Sequence, residues 1–142
     1  VIHISALPVE EYRVELIRRL KEKDPAHSVY EAQLPPADVA HPFYYIEEFR
    51  LPDDLSCKRE VMQDVYHSVS VWHDDPYKKH EVFRMLGLIG EVIREMEEDG
   101  TPSYRWMVAE SGMRVFDDSV SSGKTIYVHG LYEVHMKQIG SI

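Results

Sequence analysis

The chain has one cysteine, a shortage of cations and no long apolar run, and each shortage closes off a class of protein. Cys57 has no partner for an internal disulfide. With no reactive signature around it, it reads as an incidental thiol in a polar loop, in keeping with a reducing compartment. Sixteen Lys and Arg stand against 25 Asp and Glu, a formal net charge of −9, which opposes binding to a phosphate backbone. No apolar stretch approaches the ~18 to 20 residues that cross a bilayer. Val1-Ile2-His3-Ile4 lacks the charged region and sustained hydrophobic segment of an export signal, so the expectation is a soluble protein with no membrane partner.

Recognisable catalytic patterns are missing as well. No serine sits in a Gly-x-Ser-x-Gly turn. Ser122-Gly123-Lys124-Thr125 ends like a phosphate loop, but Asp118 stands where the earlier glycine belongs and strand-forming residues follow in place of a helix. His129 and His135 share the parity of one strand, yet six extended residues hold them ~20 Å apart, too far to share a metal, and they read as surface histidines. Glu47 and Glu48 fall on opposite faces of an extended segment. His73 lies beside Asp74 and Asp75, but Asp75 reads as a helix cap. No catalytic, cofactor-binding or metal-ligating residue is nominated, and neither a cofactor nor an enzymatic activity is expected.

What the chain does have is pattern. With 142 residues and 44% hydrophobic content, a single core is expected. Val9, Tyr12, Leu16, Ile17 and Leu20 recur at helical steps after Pro8, with Glu10 and Glu11 at the start and Arg18, Arg19, Lys21 and Lys23 near the end. That predicts a helix ending near Asp24-Pro25. A short strand is expected at Val29 to Ala32, then a surface loop carrying Pro35, Pro36 and Pro42. Phe43 to Leu51 has strand composition. The next strand alternates clearly, with Val61, Val65, Val69 and Val71 on one face and Asp64, Tyr66, Ser68, Ser70 and Trp72 on the other.

A second, longer helix is expected from Asp75-Pro76 to Gly100-Thr101-Pro102. Its apolar stripe is Val82, Leu86, Ile89, Ile93 and Met96, widened by Phe83, Met85, Leu88 and Val92. Beyond it a hairpin is predicted, Tyr104 to Glu110 and Met113 to Phe116 about a turn at Ser111-Gly112. A turn-rich loop, Asp117 to Lys124, then leads to a last strand from Thr125 to Met136.

This order of elements resembles the tail-completion, tail-terminator or tail-to-head joining proteins of long-tailed bacteriophages. The resemblance runs over nearly the whole chain. It is carried by the first helix, by His41-Pro42-Phe43-Tyr44-Tyr45-Ile46, by Val69 to Asp75 leading into the long helix, and by Thr125 to Val134 with its late glycine, Gly130. It implies an α+β fold: one domain over residues 1–142, with a mostly antiparallel twisted sheet packed against two α-helices. It also implies a virion protein assembled in the host cytoplasm, forming a homo-oligomeric ring, usually hexameric, at the head-proximal end of the tail. Its partners would be the tail tube protein and the head-completion or stopper protein of the connector, with DNA passing through the ring unbound. Two other readings stay open, another neck component and a small α/β enzyme with a site built from distant residues.

The polar loops supply the candidate partner-facing residues: Asp53, Asp54 and Lys58 in one, Asp117, Asp118 and Lys124 in the other. Solvent exposure without any contact accounts for them equally.

Overall fold

A computed structural model describes residues 7–33, 35–52, 63–119 and 126–142. The elements in chain order are α1 (Pro8–Lys23), β1 (Val29–Glu31), β2 (Phe43–Ile46), β3 (Asp64–His73), α2 (Lys79–Asp99), β4 (Tyr104–Ser119) and β5 (Ile126–Ser141). The strands form a single sheet in the order β1-β2-β3-β5-β4, antiparallel at every step but β1 to β2. This is the α+β arrangement expected, an open sheet with two helices. No helix among the described residues is long and apolar enough to cross a membrane.

Both helices follow their apolar stripes. α1 buries Tyr12, Leu16 and Leu20, and α2 buries Val82, Met85, Leu86, Ile89, Val92, Ile93 and Met96. Opposite them lie Val65, Val69 and Val71 of β3, Val128, Tyr132, Val134 and Met136 of β5, and Trp106 of β4. Each fully buried aliphatic side chain contributes about 1.5–3 kcal/mol, so this one face supplies most of the stabilisation. Ion pairs rim it: Arg19 reaches Asp99 at 3.0 Å, Lys23 meets Glu95, and Arg13 meets Glu31. Phe83, counted in the stripe by its spacing, stays half exposed at the margin.

α2 lies close on β5 because Gly130 leaves room for it. A Cβ at Gly130 would stand 2.6 Å from Val82 Cγ1 and 3.1 Å from Leu86 Cδ1, and the short valine side chain cannot swing away. Gly130→Ala is therefore expected to cost about 1–3 kcal/mol by forcing the helix off the sheet. Urea unfolding measures it, and an unchanged midpoint would contradict the tight contact.

Four expectations are corrected. The strand expected from Phe43 to Leu51 stops at Ile46. Tyr44 and Ile46 point inward, so strict alternation would bury Glu48. One extra residue intervenes before Arg50 pairs with Tyr66, and Phe49 takes the inward place instead, packing edge-on to Tyr12 at 6.3 Å. Ser111-Gly112 is not a turn but the middle of β4, opposite Val134 and Glu133. The long partner β5 holds the segment extended despite its turn-forming composition. Asp117 and Asp118 accordingly belong to a strand, opposite Val128 and Tyr127.

Asp75, finally, does not cap α2, which begins at Lys79. Its carboxylate accepts the Tyr77 N–H at 3.0 Å and its carbonyl accepts the Lys78 N–H at 3.1 Å, closing a turn before the helix. The imidazole of His73 holds that turn, since its Nδ1 accepts the Asp75 N–H at 3.3 Å and its Nε2 donates to Glu81 at 2.7 Å. Glu81 is kept below the usual carboxylate range by that bond.

Candidate interaction surface

Both helices lie on one face of the sheet, and among the described residues no helix or strand covers the other. Side chains of β3, β5 and β4 that point away from the helices form this surface: Tyr66, Ser68, Ser70 and Trp72, then His129, Leu131, Glu133 and His135, then Glu110, Gly112, Arg114 and Phe116. Strand pairing sets them side by side, and the pairs that result are aromatic on histidine. Trp72 stacks on His129 with ring centres 3.8 Å apart and an 11° tilt, and Tyr66 stacks on His135 at 4.0 Å and 16°. Phe116 meets His129 edge-on at 4.7 Å, while the Arg50 guanidinium lies 4.4 Å over Tyr66. The two histidines expected at the surface are thus half buried under rings, one at each end of the face.

Between the stacks runs a polar line. Ser70 is fully buried and donates its hydroxyl proton to Glu47 at 2.8 Å, so the 2.7 Å contact with His129 Nε2 has the imidazole donating to the serine oxygen. Burial pushes the His129 pKa down, against a smaller upward pull from Asp118, and keeps the ring neutral. Carboxylate, hydroxyl and imidazole are all present. Their proton directions are the reverse of those that activate a nucleophilic serine, where the imidazole must accept.

At the far end a shallow depression of roughly 430 Å³ is bordered by Glu48, Arg50, Tyr66, Glu110, Glu133 and His135. Its charged groups are mostly engaged elsewhere: His135 with Asp64 at 3.1 Å, Glu133 with Arg114 at 3.1 Å, and Arg50 on Tyr66. Among the described residues no group of three or more His, Cys, Asp or Glu is placed to hold a metal ion.

Of the residues named from sequence as partner-facing, Asp117 and Asp118 are exposed on β4, and Asp117 pairs with Lys79 at 3.2 Å. Asp53, Asp54, Lys58 and Lys124 lie outside the described residues, as do Cys57 and the segment 122–125. The stacked pairs were missed, although a signal for them exists. Tyr66 and Trp72 stand six positions apart, and so do His129 and His135. Antiparallel pairing of the two segments matches each ring to one imidazole.

The fold and this surface define a small α+β domain with one sheet face covered by helices and one that the described residues leave uncovered. No family model matches the chain, and no curated protein matches it. Among solved structures it is similar to a chain of one titled "Virion of native gene transfer agent (GTA) particle", at 13% identity and a TM-score of 0.49, covering 93% of this chain and 95% of that one.

Proposed function

We propose that this protein is a structural subunit of a phage-like virion that forms a hexameric ring at the head-proximal end of the tail tube. There it ends tube growth and joins the tail to the capsid connector. The observation that carries the reading is the sheet face that the described residues leave uncovered: it spans three strands, holds ordered aromatic–histidine stacks, and has charged groups that pair with one another, His135 with Asp64 and Arg114 with Glu133, rather than converge on a shared reacting centre. A closed ring needs a contact in which two different faces of neighbouring subunits join, and the open sheet face and the helical face are different in composition. Tail tube protein would bind one end of the ring and the head-completion or stopper protein the other. A net charge of −9 suits a bore through which DNA moves without being held.

Electron microscopy of particles made without the protein tests this. Overlong tails separate from filled heads are the expected result. Heads that leak their genome would move the assignment to a head-completion protein, and normal particles would remove it from the virion. At finer scale, Asp118→Lys is expected to impair joining if the end of β4 docks on a neighbour. Asp117→Lys is the weaker test, because it also sets two cations together at Lys79. Undiminished yields of infectious particles from Asp118→Lys would release β4 from that role.

A further inference from the structure

Among the described residues β4 is the last strand of the sheet, paired with β5 along one side only. From Glu110 to Asp118 its residues are exposed, Val115 alone being half buried, and Met113 and Arg114 are more than half exposed. The edge is closed off at one end. Ala109 is an extra residue between Val108 and Glu110, and the Val108 N–H is taken by the Glu97 carboxylate of α2 at 2.6 Å. Free ladder therefore begins at Glu110, and a long bare edge of this kind is a template for another strand.

We infer that the occupant is β4 of a second copy, paired antiparallel about a two-fold axis at Gly112. The argument is the charge pattern of Glu110-Ser111-Gly112-Met113-Arg114. A two-fold that keeps the sheet faces aligned passes through a residue of the strand. Through Arg114 it would set two guanidiniums opposite each other, through Met113 it would leave Glu110 facing Phe116, and through Phe116 it would pair Arg114 with Asp118 but leave Glu110 beyond the paired segment and set two phenyl rings on the axis. Through Gly112 it sets Glu110 of each copy opposite Arg114 of the other, twice, with Ser111 opposite Met113. Opposite charges facing across antiparallel strands stabilise the pairing, and like charges oppose it.

Two features of the free subunit agree. The Glu110 carboxylate has no hydrogen bond or ion pair among the described residues, whereas Arg114, with five N–H donors, uses one nitrogen on Glu133. At the axis Gly112 presents no side chain, and a Cβ there would meet nothing within 4 Å, so the two backbones can approach. The contact consumes both edges and cannot propagate. A ring with two different ends contains no such two-fold, so this dimer is a pairing of free subunits, and it stands whether or not the virion reading does.

Sedimentation velocity on the full chain at micromolar concentration tests it, with circular dichroism to confirm that each variant is folded. The wild type is expected to be a dimer. Arg114→Glu and Glu110→Arg should each raise the dissociation constant on the order of ten-fold, since each replaces two attractions by two repulsions. The double variant Glu110→Arg/Arg114→Glu should restore the dimer. A monomeric wild type, an oligomer indifferent to both reversals, or single variants that weaken association with no recovery in the double would each overturn the inference.

Discussion

Between pH 6.5 and pH 3 this protein should lose on the order of 5 kcal/mol of stability through one side chain, His67. The imidazole is buried in the core beside Tyr12 and Phe49, and its burial pushes the pKa down to about 3. The unfolded chain holds it near the ordinary 6.5. Below 6.5 the unfolded state therefore carries one proton more than the folded state, and stability falls by about 1.4 kcal/mol per pH unit until the folded imidazole itself titrates. A loss of that size approaches the whole stability of an ordinary domain.

The pair it forms is costly even when neutral. Tyr12 Oη and His67 Nε2 are 2.7 Å apart, and His67 Nδ1 is buried without a partner among the described residues. A hydroxyl and a neutral imidazole bring two polar hydrogens to one hydrogen bond, so one stays unmatched whichever tautomer is present. The variant Tyr12→Phe/His67→Leu removes both. Urea unfolding at pH 5, 6, 7 and 8 should show a shallower loss below pH 6.5 in the double variant than in the wild type, the slope that stays coming from His129, which burial also disfavours in its charged form. Asp24, Glu15 and Glu81 have carboxyl groups held below their ordinary values, and the stability they bring is lost only at lower pH. The interval from pH 6.5 to 5 thus isolates the imidazoles. Equal slopes for wild type and double variant there would refute the assignment.

The second large effect is expected at the end of α2, where Gly100→Ala should cost roughly 3–5 kcal/mol, from backbone strain and a steric clash together. Gly100 has φ 75° and ψ −174°, a conformation essentially reserved for glycine. A Cβ there would also stand 2.6 Å from the Tyr104 carbonyl oxygen. That oxygen is the hub of the turn: the Thr101 N–H donates to it at 2.9 Å, and the Thr101 hydroxyl in turn accepts from the indole of buried Trp106 at 3.0 Å. Moving it would shift the start of β4 and the largest buried side chain together. Chemical denaturation that finds a change under about 1 kcal/mol would mean that the turn relaxes freely.

Periodicity made most of this fold legible. α1 and the body of α2 follow their apolar stripes, and the valines of β3 could be placed on the core face because a one-residue slip would bury serines and an aspartate. What could not be read was decided by partners remote in sequence. Ser111-Gly112 forms a turn by composition and a strand because β5 runs the whole length beside it. Asp75 has the identity of a cap, but His73 fixes the turn that places it outside the helix. Glu48 and Phe49 exchange places because only one of them tolerates the core. On the surface, the residues chosen as polar and loop-like carried no pairing information. The open face was set by which imidazole falls opposite which ring, and that register becomes visible only when two strands separated by α2 and β4 are laid side by side.

The strand order also has a consequence for how the chain is made. β5 lies between β3 and β4, yet of the seven described elements it leaves the ribosome after all the others. Until it does, β3 lacks its longest neighbour, β4 has none, and the valine face of β3 has no complete sheet over which α2 can settle. Two unpaired strands then wait in an unfinished chain, a state open to mispairing with other nascent chains and to capture by chaperones. Any pause in translation between β4 and β5 would prolong that exposure.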